Sequence, residues 1–389
     1  MKEYQLSQLI EIKHGYAFDG EHIVTEDNGI ILVTPGNFKI GGGFQEEKCK
    51  FFTGEIPEEY ILSAGDYIVT MTDLSKTIDT LGYSAIVPQS KNRTYLHNQR
   101  IGLIKFISDE CDPDYIYYLM QTHKYQRAIA NTSTGATVHH TSPSKIREYK
   151  FSAPDVQIQR RIAKTLRAYD DLIENNQKQI KLLEEAAQRL YKEWFVDLRF
   201  PGCENTPIID GVPQGWKTSH LSKIARLSAG GDKPDVFSKV KSSVCNIPVY
   251  SNGVTDDGLY GYTDSATVND DCITVSARGN VGYTCLRRTP FLPIVRLITV
   301  IPKRECVEYL YFYLKDMTFK SNGAAQQQIT VPMIKDEEIV LPCNKLLWAF
   351  KEKVAPIFDL VDHLKMKITI CKEARDRLLP KLMSGELEV

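Results

Sequence analysis

Two long segments of the chain carry apolar residues at alternating steps of three and four, the spacing of a coiled-coil helix. The first series runs over Ile158, Ile162, Leu166, Tyr169, Ile173, Asn176, Ile180, Leu183, Ala187, Leu190 and Trp194, and the second over Leu346, Phe350, Val354, Ile357, Val361, Leu364, Ile368, Cys371, Arg375, Leu378 and Leu382. A polar residue inside such a seam, here Asn176, is typical of positions that fix helix register. Prolines precede both segments and glycines follow them, so each is expected to be one long helix.

The segments before the helices have a different pattern, with short apolar runs broken by Gly, Asn and Pro. Examples are GIILVT (29–34), DYIVTM (66–71) and CITVSA (272–277), which predict short strands joined by turns. Tyrosine-rich runs at 113–126 and 305–318 predict helices. Their tyrosines step at helical spacing, which favours burial in a core.

The chain also repeats itself. LSQLIEIKHG (6–15) matches LSKIARLSAG (221–230), DYIYYLM (114–120) matches EYLYFYL (308–314), and GATVHHTSPSKI (135–146) matches GAAQQQITVPMI (323–334). The distance between partners falls from 215 to 194 to 188 positions and then stays at 188, so the first copy is 27 residues longer. Matches in this fixed order indicate a duplication.

The duplication predicts an α+β protein with two similar mixed α/β domains, separated by a long antiparallel two-helix coiled coil with an internal pseudo-twofold repeat. The expected boundaries are 1–153 for the first domain, 154–200 for a central helix, 201–341 for the second domain and 342–389 for the C-terminal helix and tail. Antiparallel pairing is expected because it needs the shortest connections. A helix of roughly 38 residues is about 57 Å long, so we expect a rod with a domain at either end.

Composition narrows the class of protein. No run of about 18 apolar residues is present, so no membrane span is predicted, and the first ten residues do not resemble a secretory signal. The nine cysteines include no CxxC pair, which favours reduced thiols in a cytoplasm over disulfides or structural zinc. The formal net charge is −1, and residues 1–153 carry 15 Lys/Arg against 19 Asp/Glu. Nucleic-acid binding would therefore need a local basic face, with a basic partner supplying part of the affinity.

The sequence carries no recognisable catalytic machinery. It has no GxxxxGK[ST] phosphate loop, no HExxH and no nuclease carboxylate cluster. The glycine runs at 41–43 and 230–231 are too short for a dinucleotide loop and predict turns. His139-His140 stands where the second copy has Gln327-Gln328, an exchange more typical of hydrogen-bonding surface residues than of metal ligands. No catalytic residue, cofactor or metal site is therefore predicted.

The two copies keep their framework and differ at the polar positions beside it, as expected of domains that read different base edges. The candidate DNA-binding residues of the first copy are Thr72, Asp73, Ser75, Lys76, Arg100, Thr137, His139, His140 and Lys145, and those of the second are Ser251, Asn252, Arg278, Asn280, Lys320, Gln326, Gln327 and Gln328. Arg278 precedes Gly279 on a predicted turn, from which it would reach a groove or form a surface salt bridge. Plain solvated loop residues are the alternative for the His and Gln pairs.

Several strings resemble a known family. LYKEWFVDLRFPG (190–202) is similar to the end of the central spacer helix of the specificity subunits of type I restriction–modification systems, and LLPKLMSGELEV (378–389) is similar to their C-terminal tail. GATVHHTSPSKI and GAAQQQITVPMI, each followed by a proline, resemble the close of each recognition domain. The resemblance covers essentially the whole chain.

This resemblance implies a non-catalytic subunit in which each recognition domain reads one half of a bipartite, asymmetric target in double-stranded DNA. It further implies that the helices measure the unread spacer and dock two adenine methyltransferase subunits, and that a restriction subunit with motor and nuclease activity joins them. Methyl donor and ATP would belong to those partners. The alternatives are the specificity chain of a related system with a fused methylation and cleavage subunit, and a coiled-coil scaffold whose end domains bind proteins or glycans.

Overall fold

The computed structural model describes residues 1–75, 77–135, 137–303, 307–318 and 328–388. The chain divides into two compact units, Met1–Asn176 with Lys367–Val389, and Gln177–Met366. Each long helix begins in one unit and ends in the other, and each unit is described by itself below.

The first unit is built from short strands, three short helices and part of each long helix. Its strands are Lys2–Gln5 (β1), Ile10–His14 (β2), Ile23–Val24 (β3), Ile30–Val33 (β4), Lys50–Phe52 (β5), Ile61–Leu62 (β6), Tyr67–Thr70 (β7), Thr72–Asp73 (β8), Ser84–Ile86 (β9), Thr94–His97 (β10), Ile101–Phe106 (β11), His139–His140 (β12) and Lys150–Ala153 (β13). Its helices are Pro113–Leu119 (α1), His123–Asn131 (α2), Pro143–Arg147 (α3) and the first part of Val156–Tyr191 (α4).

The strands form a four-stranded antiparallel sheet in the order β2-β11-β7-β9 and a five-stranded mixed sheet in the order β3-β5-β4-β10-β6. Strand β1 pairs with β13, which ties the beginning of the unit to the residues just before α4. Helix α1 packs its tyrosines into the core, where Tyr115 and Tyr118 are fully buried. The expectation that these tyrosines belong to the core is confirmed.

The second unit repeats this plan with fewer strands. Its strands are Ile208–Ile209 (β14), Val212–Pro213 (β15), Lys217–His220 (β16), Ala225–Ala229 (β17), Ile247–Tyr250 (β18), Leu259–Thr263 (β19), Cys272–Val275 (β20), Thr284–Arg287 (β21), Leu292–Pro293 (β22), Ile298–Pro302 (β23) and Glu338–Leu341 (β24). Its helices are Leu221–Ile224 (α5), Val307–Asp316 (α6), Val331–Ile334 (α7) and the first part of Asn344–Ser384 (α8). The order β17-β23-β20-β21 corresponds strand for strand to β2-β11-β7-β9, so the predicted internal repeat of two mixed α/β domains is confirmed.

The two long helices pair antiparallel. In the first unit the beginning of α4, with Ile162 and Leu166, shares a core with Leu382 near the end of α8. In the second unit the end of α4 meets the beginning of α8, where the rings of Tyr191 and Phe350 lie 6.3 Å apart. The predicted seam positions of both helices are buried or half-buried.

Helix α4 ends differently from the expectation of one regular helix to residue 200. From Lys192 to Val196 the chain forms a π-helical turn. This wider turn brings two consecutive aromatic residues, Trp194 and Phe195, into the core of the second unit. The heptad spacing had assigned only Trp194 to the buried side.

Candidate nucleic-acid interface

Three polar segments of the first unit meet at the end of β7. Met71, which follows this strand, donates its backbone N–H to the carbonyl of Arg100 (2.9 Å) and accepts a hydrogen bond from the N–H of Thr141 (3.0 Å). Beside it, β12 pairs antiparallel with β8, so that His140 lies opposite Thr72. Main-chain hydrogen bonds therefore hold these segments together. We call the arrangement of residues 71–73, 98–101 and 139–141 the first junction.

The second unit has a corresponding arrangement at the end of β20. Ala277, in the place of Met71, accepts a hydrogen bond from the N–H of Ile329 (3.0 Å). Its own N–H donates to Oδ1 of Asn252 (2.7 Å), and Nδ2 of Asn252 donates to the carbonyl of Val295 (2.7 Å). The Asn252 side chain thus bridges two segments that a direct main-chain bond joins in the first unit. We call the arrangement of residues 276–278, 294–297 and 328–329, with Asn252, the second junction.

One segment of each junction is a turn that carries an arginine. In the first arginine turn, residues 98–101, the N–H of Ile101 donates to the carbonyl of Asn98 (2.9 Å). In the second arginine turn, residues 294–297, Leu297 and Ile294 make the equivalent bond (3.1 Å). Each turn leads directly into an inner strand of the four-stranded sheet, β11 or β23.

A glycine allows each arginine turn to approach the end of the first sheet strand. A Cβ atom on Gly15 would lie 2.3 Å from the carbonyl oxygen of Asn98, and one on Gly230 would lie 2.8 Å from the backbone nitrogen of Ile294. Both contacts are too short for any side chain. The first pair of repeated strings ends at these two glycines, and the close approach of the turn is the physical reason for glycine there.

The segment after β7 and β20 differs in length between the units. It opens with the same main-chain bonds, from Thr70 to the carbonyl of Tyr83 (3.1 Å) and from Ser276 to the carbonyl of Tyr283 (2.9 Å). The first variable loop, residues 71–81, has eleven residues, whereas the second variable loop, residues 277–281, has five. The framework is therefore shared, and the loop that it holds is not.

The first variable loop is organised around the carboxylate of Asp73, which is only 2% exposed. This carboxylate accepts hydrogen bonds from the N–H of Ser75 (2.6 Å), from the N–H and hydroxyl of Thr80 (2.5 and 2.7 Å) and from the N–H of Leu81 (3.1 Å). Burial alone would raise the pKa of Asp73, but these hydrogen bonds outweigh it and hold the pKa below its ordinary value. Asp73 is used inside the loop and is not available to a ligand.

The other candidates differ in how accessible they are. Exposed side chains are those of Arg100, Thr137, His140, Lys145, Arg278, Asn280 and Gln328; half-buried ones are those of Ser75, His139, Ser251 and Asn252; Thr72 is buried with Asp73. The Thr72 hydroxyl lies 3.1 Å from Nδ1 of His140 and so orients that ring. Lys76, Lys320, Gln326 and Gln327 lie outside the described residues.

Not every candidate belongs to a junction. Lys145 lies on α3 and pairs with Glu148 (3.4 Å), the residue that follows this helix. Ser251 bonds through its backbone to Gly258 (2.9 Å) within its own loop. Arg278 follows β20 as predicted, and within the described part of the chain it forms no ion pair, so the salt-bridge alternative finds no support there.

Sequence reasoning missed one exposed residue of the second junction, Arg296. It occupies the position of Arg100, 196 residues later. The signal was the dipeptide Arg-Ile or Arg-Leu directly before an apolar strand. The repeated strings lie on either side of this turn, so the repeat alone does not point to the arginine.

Comparison with known proteins places these features in a family. The model of the type I restriction–modification DNA specificity domain matches residues 1–185 and 213–369. The MjaIX type I specificity subunit of Methanocaldococcus jannaschii is 27% identical over 299 residues, which cover 71% of this chain and 69% of that protein. A putative type I specificity subunit of Mycoplasma pneumoniae is 28% identical over 302 residues, covering 74% and 86%.

The fold has a solved counterpart. The crystal structure of the type I restriction–modification S subunit of M. genitalium superimposes with a TM-score of 0.59 at 15% identity, over 98% of this chain and 96% of that one. Within the described residues, no helix has the length and apolarity needed to cross a bilayer. Since the family model covers most of the sequence, in both copies of the repeat, the chain belongs to the specificity subunits of type I restriction–modification systems.

Proposed function

We propose that this subunit reads a bipartite, asymmetric target in double-stranded DNA, one half-site with each junction. The observation that carries the proposal is that the two junctions share the main-chain bond accepted by Met71 or Ala277 and the bond that closes each arginine turn. Asn252 replaces one further main-chain bond in the second junction, and the side chains that the two junctions present differ. Such a scaffold keeps base-reading groups in one place while their chemistry changes. The recognition domains are assigned to residues 1–153 and 201–341, and the spacer helices to 154–200 and 342–389.

In the second unit the proposed readers are Arg278 and Gln328 of the junction and Asn280 of the variable loop. All three are exposed, and Arg278 and Asn280 flank Gly279, whose backbone has φ 68°. Arginine pairs with guanine edges, and the amides of Asn and Gln pair with adenine edges. In the first unit the proposed readers are the exposed His140 and the half-buried His139 of the junction, and the exposed Thr137 that precedes them in sequence. Thr72, Asp73 and Asn252 hold the loops in place.

Membership of this family supports a proposal about the partners. We propose that the antiparallel helices dock two adenine methyltransferase subunits and that a restriction subunit joins the complex in the cytoplasm. The net charge of −1 supports this division, because a subunit without excess positive charge needs partners to supply part of the phosphate binding. In this arrangement methyl transfer and cleavage take place on the partners, and the chain needs no cofactor of its own.

The test is to express the chain with its methyltransferase subunit and to sequence the methylated motif across a genome. Arg278→Ala is expected to relax one base position in one half-site, at a cost of roughly 1–3 kcal/mol in discrimination. The control is Arg226→Ala, because Arg226 is also exposed but pairs with Asp270 (3.2 Å) outside the junction. A change in both half-sites, or in neither, would contradict the modular reading.

A second measurement concerns catalysis. The purified chain, incubated with S-adenosylmethionine, ATP, magnesium and duplex DNA, is expected to leave the DNA unchanged. Turnover that co-purifies with the chain at constant specific activity would contradict this assignment. If the chain with its methyltransferase subunit bound no duplex at all, the coiled-coil scaffold with protein-binding domains would become the better account.

A further inference from the structure

Arg100 and Arg296 occupy the same place in the two junctions, and we propose that both bind the DNA phosphate backbone, one on each half-site. This inference rests on the proposed function and adds a division of labour to it. In each junction one arginine binds the phosphate backbone of the duplex whatever its base sequence, while the neighbouring variable side chains read bases.

The equivalence of the two arginines is set by the main chain. Tyr16 forms a parallel bridge with Asn98, and Gly231 forms one with Ile294. The next residue in each turn donates its backbone N–H across this bridge: Gln99 to the carbonyl of Tyr16 (2.9 Å) and Val295 to the carbonyl of Gly231 (2.8 Å). The arginine is the residue after that in both units. The two guanidinium groups therefore start from the same backbone position on the same framework.

The second turn holds its arginine in an unfavourable backbone conformation. Val295 and Arg296 have φ values of 53° and 64°, in the left-handed region that non-glycine residues rarely adopt. The turn is pinned by bonds from Val295 to Gly231 (2.8 Å) and from Arg296 to Gly230 (3.1 Å), and by Asn252 on the Val295 carbonyl. Two consecutive residues in this sparsely populated region are strained. Such strain persists where the surrounding structure fixes it, which is typical of functional positions.

Both arginines are free to meet an anion. Each is exposed, and neither forms an ion pair within the described part of the chain. Other arginines in the same units are engaged, for example Arg93 with Asp27 (3.1 Å) and Arg288 with Asp359 (2.6 Å). In a chain of net charge −1, an exposed arginine without a carboxylate partner, repeated in both domains, is a local source of positive potential.

A phosphate is the ligand that a repeated arginine fits best. The residues beside Arg100 and Arg296 differ between the units, as do the variable loops, so the base-reading surfaces differ. Arginine at an unchanged position is then suited to the part of the duplex that does not change with sequence, and guanidinium binds phosphate oxygens in a bidentate manner. The strand-leading turn supplies a rigid base for such a contact.

The test uses the complex of the full chain with its methyltransferase subunits and fluorescent duplexes with and without the methylated motif. Arg100→Ala and Arg296→Ala are each expected to weaken binding to both duplexes by a similar factor. Each is expected to reduce the slope of log K against log salt concentration by about 1. The methylated motif is expected to stay unchanged. Arg296→Lys, which keeps the charge, restores most of the slope, and Arg226→Ala leaves it at the wild-type value.

The possible outcomes separate this inference from the proposed function. Loss of a single base position in the motif of Arg100→Ala or Arg296→Ala would make that arginine a base reader and overturn the phosphate assignment. An unchanged slope in both variants, with normal binding, would overturn it as well. A wild-type complex that binds no duplex, or that methylates no bipartite motif, would overturn both proposals.

Discussion

Replacing Asp73 by asparagine is expected to open the first variable loop while the rest of the unit stays folded. Oδ2 of Asp73 alone accepts hydrogen bonds from two backbone N–H groups and one hydroxyl. An amide nitrogen in that position accepts none of them. Hydrogen bonds to a charged group contribute about 1.5–3 kcal/mol each, and water recovers part of the loss in an accessible loop. We expect a net cost of about 3 kcal/mol, which shifts the balance between closed and open loop roughly a hundredfold.

Two measurements follow the loop and its consequence. Amide hydrogen exchange of residues 74–81 is expected to accelerate in Asp73→Asn by about the same factor, while exchange in β7 and β11 stays slow. Sequencing of methylated motifs is expected to show weakened reading of one half-site only. Because the pKa of Asp73 in the folded loop lies below its ordinary value of 3.8, its contribution is complete above that value. It is lost as the pH falls through the folded pKa.

The control is Asp79→Asn in the same loop. The Asp79 carboxylate is half-buried and pairs with the Thr77 hydroxyl, whereas the loop backbone is held by Asp73. Asp79→Asn is expected to leave hydrogen exchange in the loop close to wild type. If the two variants behaved alike, or if Asp73→Asn exchanged like wild type, the loop would not depend on this carboxylate and the reasoning would fail.

Three further predictions concern the framework. The carboxylate of Asp170 accepts hydrogen bonds from Arg375 (2.6 Å) and from the buried Tyr118 hydroxyl (2.6 Å), so Asp170→Asn is expected to lower the free energy of unfolding by about 2–3 kcal/mol. In the same urea titrations the control Asp376→Asn, which removes an exposed partner of the same arginine, is expected to lower it by less than about 0.5 kcal/mol. Equal losses in the two variants would contradict the network. Burial lowers the pKa of His97 from 6.5 to about 4, so the neutral ring contributes fully to stability above pH 6.5. As the pH falls from 6.5 towards 4, the free energy of unfolding is expected to drop by about 3 kcal/mol because of this residue. Urea midpoints of His97→Gln that follow the wild-type pH dependence would refute this. Asn176 is 3% exposed and its Nδ2 has no hydrogen-bond acceptor within the described residues. Asn176→Leu is therefore expected to raise the free energy of unfolding by about 1 kcal/mol, and a lower urea midpoint in this variant would contradict the prediction.

The parts of the fold that sequence predicted are those set by local periodicity. The helices α4 and α8 follow from a seam that repeats over many turns, and the duplication follows from strings in fixed order. Strands such as β4 and β20 follow from short apolar runs between turns. The π-helical turn at Lys192–Val196 was not predicted, because a heptad pattern assigns one residue per step to the core, whereas Trp194 and Phe195 are both buried.

The sequence predicted which polar residues lie near the candidate site, but not what each of them does there. Asp73 and Asn252 were expected to face DNA because both are polar and lie near loops. The structure places Asp73 at the centre of its loop and Asn252 between two main-chain groups. Such roles depend on partners that are distant in sequence. Arg296 was missed for a related reason, since the left-handed turn of two non-glycine residues that carries it is held by partners distant in sequence, Gly230, Gly231 and Asn252.

The way in which the junctions are held explains how one framework can serve two different surfaces. Met71 and Ala277 connect their neighbours through backbone N–H and C=O groups, which every residue except proline provides. Substitution of the exposed side chains beside them therefore leaves the framework bonds in place. The second junction has one exception, because Asn252 supplies a side-chain bridge where the first has a direct bond. Changes in specificity can then arise in the variable loops at little cost in stability, whereas Asn252 is expected to tolerate no exchange that removes its carboxamide.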